Sequence, residues 1–231
     1  MPSRADTAPR AIESILLQVS RLWLFLDRFD SAPPYAEHER IIVLRSQELG
    51  DLRANGKLAG VAHEATDCTF FAVDDDVEYP PDYCDTLEST LDDFGGHAAV
   101  GVHAAILERP VTSYVRDMTV MHRRAALGRR MEVDILGTDS VAFRTSTLRF
   151  DVREWSNVNM VDLSFALAAR KRSVPLVAIP REKGWINPLA ERQPDSIWLG
   201  VRRDDTAQTA LAQALLELPR PSLEAVSSRS V

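Results

Sequence analysis

Three adjacent carboxylates, Asp74, Asp75 and Asp76, follow the apolar run Thr69-Phe70-Phe71-Ala72-Val73. Like charges side by side repel one another, so a fold that keeps them together needs a counter-ion. On an extended backbone Asp74 and Asp76 are two apart and point to the same side. The carboxyl end of a buried strand is also where open α/β sheets bind their ligands. Such a pair suits a hard divalent cation. Mg²⁺ takes one or two carboxylates and completes its shell with phosphate oxygens and water, and a metal held this way neutralises the charge of a departing diphosphate. The plain alternative is a solvated acidic turn leading into the next helix.

Other chemistries are weakly represented. His38, His63, His97, His103 and His122 show no zinc-ligand spacing, and no histidine follows His122. Cys68 and Cys84 lie outside any metal-ligand spacing and read as free thiols. There is no Gly-x-Ser-x-Gly signature for a nucleophilic serine.

The elements that must position these groups alternate between helix and strand, which predicts an α/β fold with a largely parallel sheet. Ile12, Ile15, Leu16 and Val19 follow helical spacing, so Pro9 to Val19 reads as the first helix. Leu22 to Leu26 is a short apolar run that stops at Asp27, and Ile41 to Leu44 is another; both read as buried strands. Leu52 to Ala65 reads as a helix. Thr69 to Val73 is the strand that carries the acid trio. Pro80-Pro81 opens a helix through Leu87 and Leu91, which Gly95-Gly96 closes. Ala98 to Leu107 is a further strand, and Glu108 to Arg130 a loop or an inserted helix. Val133 to Phe143 reads as strand, turn, strand, broken at Gly137. Asn159 to Lys171 is a helix, Leu176 to Ile179 a strand, Thr206 to Leu218 a helix, and the last dozen residues a polar tail. The first helix starts within about ten residues of Met1, where a doubly wound sheet usually opens with a strand. Either that strand is missing, or only its last residues, Met1 to Arg4, are present.

Composition sets the bounds. The chain has 231 residues, 45% hydrophobic and 26% charged, enough for one large α/β domain. With 27 basic and 34 acidic side chains its net charge is −7, which argues against a nucleic-acid partner. No apolar run reaches the ~18 residues of a membrane span, and Met1 to Arg10 lacks the apolar core of a signal peptide, so a cytoplasmic location is expected.

Taken in order, these segments resemble the family 2 glycosyltransferases, inverting enzymes with a GT-A fold. The likeness runs from Pro2 to about Trp185. It implies a GT-A-like (Rossmann-like) single domain whose mixed, mostly parallel sheet is flanked by helices. Residues 1–96 would form a nucleotide-sugar half, 97–186 an acceptor half and 187–231 a helical tail. Asp74-Asp75-Asp76 matches the family's Asp-x-Asp motif, which holds Mg²⁺ or Mn²⁺ against the nucleotide diphosphate; the resemblance makes Asp74 and Asp76 the metal ligands and places Asp75 at the donor. Asp27 matches an acidic residue that contacts the base or ribose. Ser3 and Arg4 match residues that cradle the nucleotide. Arg53-Ala54-Asn55-Gly56-Lys57 looks like a donor-binding segment, in which Arg53 or Lys57 meets phosphate. Gly137-Thr138-Asp139 opens a segment similar to the family's acceptor loop. Asp162 inherits the role of general base, although Val161 stands where the family has glutamate. Trp155 and Trp185 lie in loops and offer flat faces to a sugar ring, against ordinary half-buried packing. The implied reaction moves a sugar from an NDP-sugar, UDP in the first instance, to a carbohydrate or glycolipid hydroxyl.

Three other readings compete. A haloacid-dehalogenase-type phosphohydrolase also places Asp-x-Asp after an apolar strand, with Asp74 as nucleophile and Asp76 as acid/base. That motif normally lies on the first strand, and Gly184-Trp185-Ile186-Asn187, directly after Lys183, supplies no carboxylates for its metal. A non-catalytic nucleotide-sugar-binding homologue would account for the clipped opening strand. A nucleotidyltransferase would need a Gly-rich basic loop near the start, and Ser3-Arg4-Ala5-Asp6 is not one.

Overall fold

The computed structural model describes residues 1–190 and 197–223. Along the chain the elements are α1 (Ala8–Leu16), β1 (Leu22–Leu26), β2 (Ile41–Arg45), α2 (Ser46–Leu49), α3 (Gly60–His63), β3 (Thr69–Val73), β4 (Val77–Glu78), α4 (Tyr83–Asp92), β5 (Ala99–Gly101) and β6 (Ala104–Leu107). They continue with β7 (Met118–Met121), β8 (Met131–Val133), β9 (Ile135–Leu136), β10 (Ser140–Arg144), α5 (Val161–Lys171), β11 (Leu176–Ala178), β12 (Asn187–Pro188), α6 (Ile197–Val201) and α7 (Thr206–Glu217). No helix among the described residues is long and apolar enough to cross a membrane. The polar tail expected at the end of the chain falls largely outside the described residues.

The main sheet has the order β3-β10-β5-β11-β8. Its residues alternate between two apolar layers, as strand geometry requires. Val141 and Phe143 of β10 pack with Phe165 and Ala166 of α5, while Ala142 between them joins Leu87 and Leu91 of α4. Val177 of β11 likewise faces the α4 layer, and Leu176 and Ala178 face the α5 layer. The sheet is therefore covered on both faces, which explains why β5, β11 and the Val141–Phe143 stretch of β10 are apolar without alternation. A buried pair, Arg170 to Asp134 at 2.7 Å, ties α5 to the β8–β9 turn, and Arg170 also donates to the Leu215 carbonyl of α7.

The result is a mixed α/β fold, but the sheet is not mostly parallel. Only β5 and β11 run side by side in the same direction; β10 is antiparallel to β3 and β5, and β8 is antiparallel to β11. Alternation of helix and strand cannot reveal this, because the chain reaches β10 through the hairpin-linked strands β6 to β9 rather than through a crossover helix. β1 and β2 pair in parallel as a separate two-stranded sheet.

Three further expectations need correction. Met1 to Arg4 is not the remnant of a strand. Pro2–Arg4 forms a 3-10 turn, consistent with a proline at its first position. The helix expected over Leu52 to Ala65 is a 3-10 turn, Arg53–Leu58, followed by the single turn of α3. The cause is close packing. A Cβ on Gly56 would lie 2.0 Å from the Phe25 ring, and one on Gly60 would lie 2.4 Å from the Trp23 ring, so this segment is pressed flat on β1. Finally, part of Glu108 to Arg130 is neither loop nor helix, since β7 adds to β6 as an antiparallel strand.

At the amino ends of β1 and β3 the two sheets are latched together. The Glu64 carboxylate, 5% exposed, accepts from the Thr66 hydroxyl at 2.6 Å, the Thr66 amide at 3.1 Å and Arg21 at 2.9 Å. The Thr66 hydroxyl leads these donors against the opposing effect of burial, and the Glu64 carboxyl is held down at about 2. A carboxyl lowered on folding contributes stability above its unfolded value, and the contribution fades as pH falls through the folded one. Glu64→Gln is therefore expected to cost about 1–3 kcal/mol at neutral pH. The gap to the parent should close as the medium is acidified from about pH 5 towards pH 2, which urea midpoints across that range will show.

Candidate functional site

A cavity of about 690 Å³ opens at the carboxyl ends of β1 and β3 and runs down between them. Asp27, Arg28, Arg53, Lys57, Asn159, Arg4 and the acid trio stand at its upper end.

Lys57 is the centre of charge. Its side chain is 20% exposed, and the ammonium pairs with Asp74. Burial draws its proton affinity down, but Asp74, then Asp162 and Asp139, more than reverse that and hold Lys57 above the ordinary lysine range. Lys57 reaches this position because the Arg53–Leu58 turn is anchored at both sides. Gly56 lies against Phe25, and the Asn55 side chain donates through Nδ2 to the Asn157 carbonyl at 2.8 Å. The Ala54 amide meets Asn159 Oδ1 at 3.5 Å. Those two bonds fix the loop ahead of α5, and with it Asp162 in the first turn.

Asp162 is held in turn by the acceptor-loop segment. Its Oδ1 accepts from the Thr138 amide at 2.8 Å and the Thr138 hydroxyl at 2.6 Å. Asp139, 8% exposed, pairs with Arg123 and accepts from the Ser140 hydroxyl at 2.8 Å. Burial opposes the Asp139 charge, but His103, Arg123 and the Ser140 bond outweigh it and hold the carboxyl below its usual range. Arg181 donates to the carbonyls of Ile179, Met121 and His122, each at 3.1 Å, which sets the end of β7 so that Arg123 can reach across. Gly137 is needed here, because a Cβ would lie 2.8 Å from Asp139 Oδ1 and 2.9 Å from His103 Cβ.

One tyrosine joins the two groups. The Tyr79 hydroxyl accepts from the Asp74 amide at 2.8 Å and donates to the Asp139 carbonyl at 2.6 Å. β4, which delivers Tyr79, is itself fixed by pairing with β12.

Asp27 is different in kind. It is 3% exposed, it lines the cavity, and neither carboxylate oxygen has a hydrogen-bond partner among the described residues. Its nearest cation is Arg28, at 4.0 Å. A buried carboxylate without donors is costly, so such a group is normally paired or set aside for a ligand.

The acid trio does not stand as an open metal seat. Asp74 is taken by Lys57, and Arg4 Nε lies 3.9 Å from both Asp75 and Asp76. Among the described residues no group of three or more His, Cys, Asp or Glu side chains is placed to hold a metal ion. The counter-ions that three neighbouring carboxylates require are thus supplied by the chain itself. As arranged, the residues that the resemblance assigns to Mg²⁺ or Mn²⁺ face Lys57 and Arg4.

Most of the other expected residues converge. Arg4, Arg53, Lys57 and Asp74 to Asp76 line the cavity; Asp162 and Asp139 lie close enough for their charges to act on Lys57, and Thr138 bonds Asp162. Arg53 also pairs with Asp51 at 2.7 Å. Asn55 is buried and acts as a tether rather than as a lining residue. Ser3 is exposed and does not line the cavity. Trp155 stacks on Phe150 with centroids 5.0 Å apart, and Trp185 packs 6.0 Å from Tyr83 while its indole donates to Asp82. Neither tryptophan lines the cavity. Tyr79, Arg123, Arg28 and Asn159 were not singled out from the sequence. Arg28 and Asn159 both adopt positive φ, of 60°, a backbone state no sequence pattern announces. No protein-family model matches this sequence, and no curated protein matches it.

Proposed function

We propose that this chain binds a nucleoside diphosphate sugar in the cavity above β1 and β3 and transfers the sugar to an acceptor hydroxyl, as a glycosyltransferase of GT-A-like organisation. The observation that carries the reading is Asp27, a buried carboxylate whose two oxygens have no hydrogen-bond partner among the described residues, at the same end of the cavity as a cluster of cations. A nucleoside offers the missing donors, through ribose hydroxyls or a base N–H. A diphosphate offers the negative charge that Lys57, Arg4, Arg28 and Arg53 would meet.

In this reading the reaction is a single displacement. The acceptor oxygen bonds to the anomeric carbon, the bond from that carbon to the diphosphate breaks, and the acceptor proton passes to Asp162. Lys57 and Arg4 balance the charge that collects on the leaving diphosphate. Thr138 turns Asp162 by holding one of its oxygens and leaves the other for the proton. The acceptor is a carbohydrate or glycolipid hydroxyl, met in the cytoplasm.

The test is a thermal-shift panel of UDP, GDP, CDP and dTDP, each with and without Mn²⁺. At ~100 times its Kd, a bound nucleotide adds about 2.7 kcal/mol. For a chain of this size that is a rise of roughly 5–10 °C. One nucleotide is expected to give this rise, and Asp27→Ala to lose it. Without ligand, Asp27→Ala should melt no lower than the parent, because it removes a buried charge that lacks donors. No shift with any of the four nucleotides would sink the reading. A shift seen only with Mn²⁺ would show that the cation displaces Lys57 from Asp74. Nucleotide binding without turnover would favour the non-catalytic homologue.

A further inference from the structure

β1 and β3 each have one open edge, and both open edges face the same cavity. Among the described residues β1 pairs only with β2, and β3 only with β10. The cavity is lined by Leu22 to Phe25 along β1 and by Thr69, Phe70, Phe71 and Val73 along β3, but by no residue of β2 or β10. It therefore occupies the gap between the two strand edges. The strands run the same way across it. Arg21 and Glu64 meet at their amino ends, and Asp27 and Asp74 stand at their carboxyl ends.

The gap also has a roof and a floor. Ile15 of α1 belongs to the apolar layer on the α4 side, and Ala54 packs on the layer of the α5 side. The sequence of β1, Leu-Trp-Leu-Phe-Leu, is apolar on both faces, as suits a strand in the middle of a covered sheet. Yet Leu22, Trp23, Leu24 and Phe25 remain only half-buried, and Thr69, Phe71 and Val73 of β3 likewise. A space bounded by two parallel strand edges and two apolar layers has the shape and hydrogen-bonding pattern of a single β-strand.

We propose that this slot takes one extended apolar strand, parallel to β1 and β3, and that the strand leads directly into Met1. It joins the two sheets in the order β2-β1-incoming strand-β3-β10-β5-β11-β8. The position of the first residues selects this occupant. Met1 and Arg4 line the upper rim, and the Met1 nitrogen lies 3.7 Å from Asp75. A strand that rises with β1 and β3 ends at that rim and continues into the Pro2–Arg4 turn without a connecting loop. The other end of the described chain is at the far side of the molecule, where the Leu223 amide bonds Glu132 on β8, the opposite edge strand. The inference does not depend on what the upper part of the cavity binds.

The experiment extends the chain ahead of Met1 by about six residues, the ordinary length of a strand. One version is rich in Val and Ile, and the control is a Gly/Ser extension of equal length. Thermal melting and amide hydrogen exchange are read without nucleotide, so the outcome is separate from that of the nucleotide panel. The Val/Ile extension is expected to raise the midpoint by several degrees over the control and to slow exchange of the amides in Leu22–Leu26 and Thr69–Val73 at least tenfold. Equal midpoints and equal exchange for the two extensions would overturn the proposal. A dimer of the unextended chain that persists unchanged with the Val/Ile extension would overturn it too, by giving the slot to a second copy.

Discussion

Asp162→Asn is expected to bind nucleotide as the parent does and to transfer its sugar about 10²–10⁴-fold more slowly, the span that a positioned base contributes. The substitution is close to isosteric. The amide oxygen can keep both bonds from Thr138, at 2.8 and 2.6 Å in the parent, so the loop ahead of α5 stays in place. What disappears is the charge that accepts the proton. Release of nucleoside diphosphate, on water or on added acceptor sugars, gives the rate, and the thermal shift gives binding. A variant that retains the full rate removes Asp162 from the chemistry and leaves it a structural clamp on Thr138. The Thr138→Val enzyme should lie between the two, since it loses one bond to Asp162 and keeps the carboxylate.

Lys57→Met should have the second large effect, on binding rather than rate. Loss of a partly buried, charge-assisted contact to phosphate costs about 1.5–3 kcal/mol, so affinity for the nucleotide should fall by roughly 10- to 100-fold. The same change strips Asp74 of its partner. Burial already lifts the Asp74 carboxyl above its usual range, and Lys57 is the main influence pulling it down. Without the lysine the carboxyl rises further. A carboxyl raised on folding stabilises below its unfolded value, about 4, and that contribution is lost as pH climbs through the folded one. The stability deficit of Lys57→Met should therefore widen from pH 5 to pH 8, as urea unfolding will show. Adding Asp74→Asn should recover most of the stability and none of the nucleotide affinity. Recovery of both would reduce Lys57 to a structural partner of Asp74.

Local signals made much of the fold legible. β1 and β3 have the bounds that their apolar runs suggested, because each run stops at aspartate. α1, α4, α5 and α7 followed their spacing and caps to within a few residues. Pairing direction was not legible, since antiparallel β10 and β8 depend on partners far along the chain. Nor was the flattened Arg53–Leu58 turn, which is set by the Phe25 and Trp23 rings rather than by its own propensity. At the site, the residue types were visible and the pairings were not. Three aspartates in a row call for positive charge, but whether that charge is a metal or a lysine is decided by which segments the fold lays beside them. Asp27 was picked by resemblance alone; its lack of donors is a property of the folded chain.

The phenol bridge of Tyr79 has a mechanical consequence. One oxygen spans the end of the strand that bears Asp74 and the loop that bears Asp139, bonded to backbone on both sides. The spacing between the strand end and the loop is thereby set by a single phenol, so a Tyr79→Phe chain would leave the Asp74 amide and the Asp139 carbonyl each short of a partner.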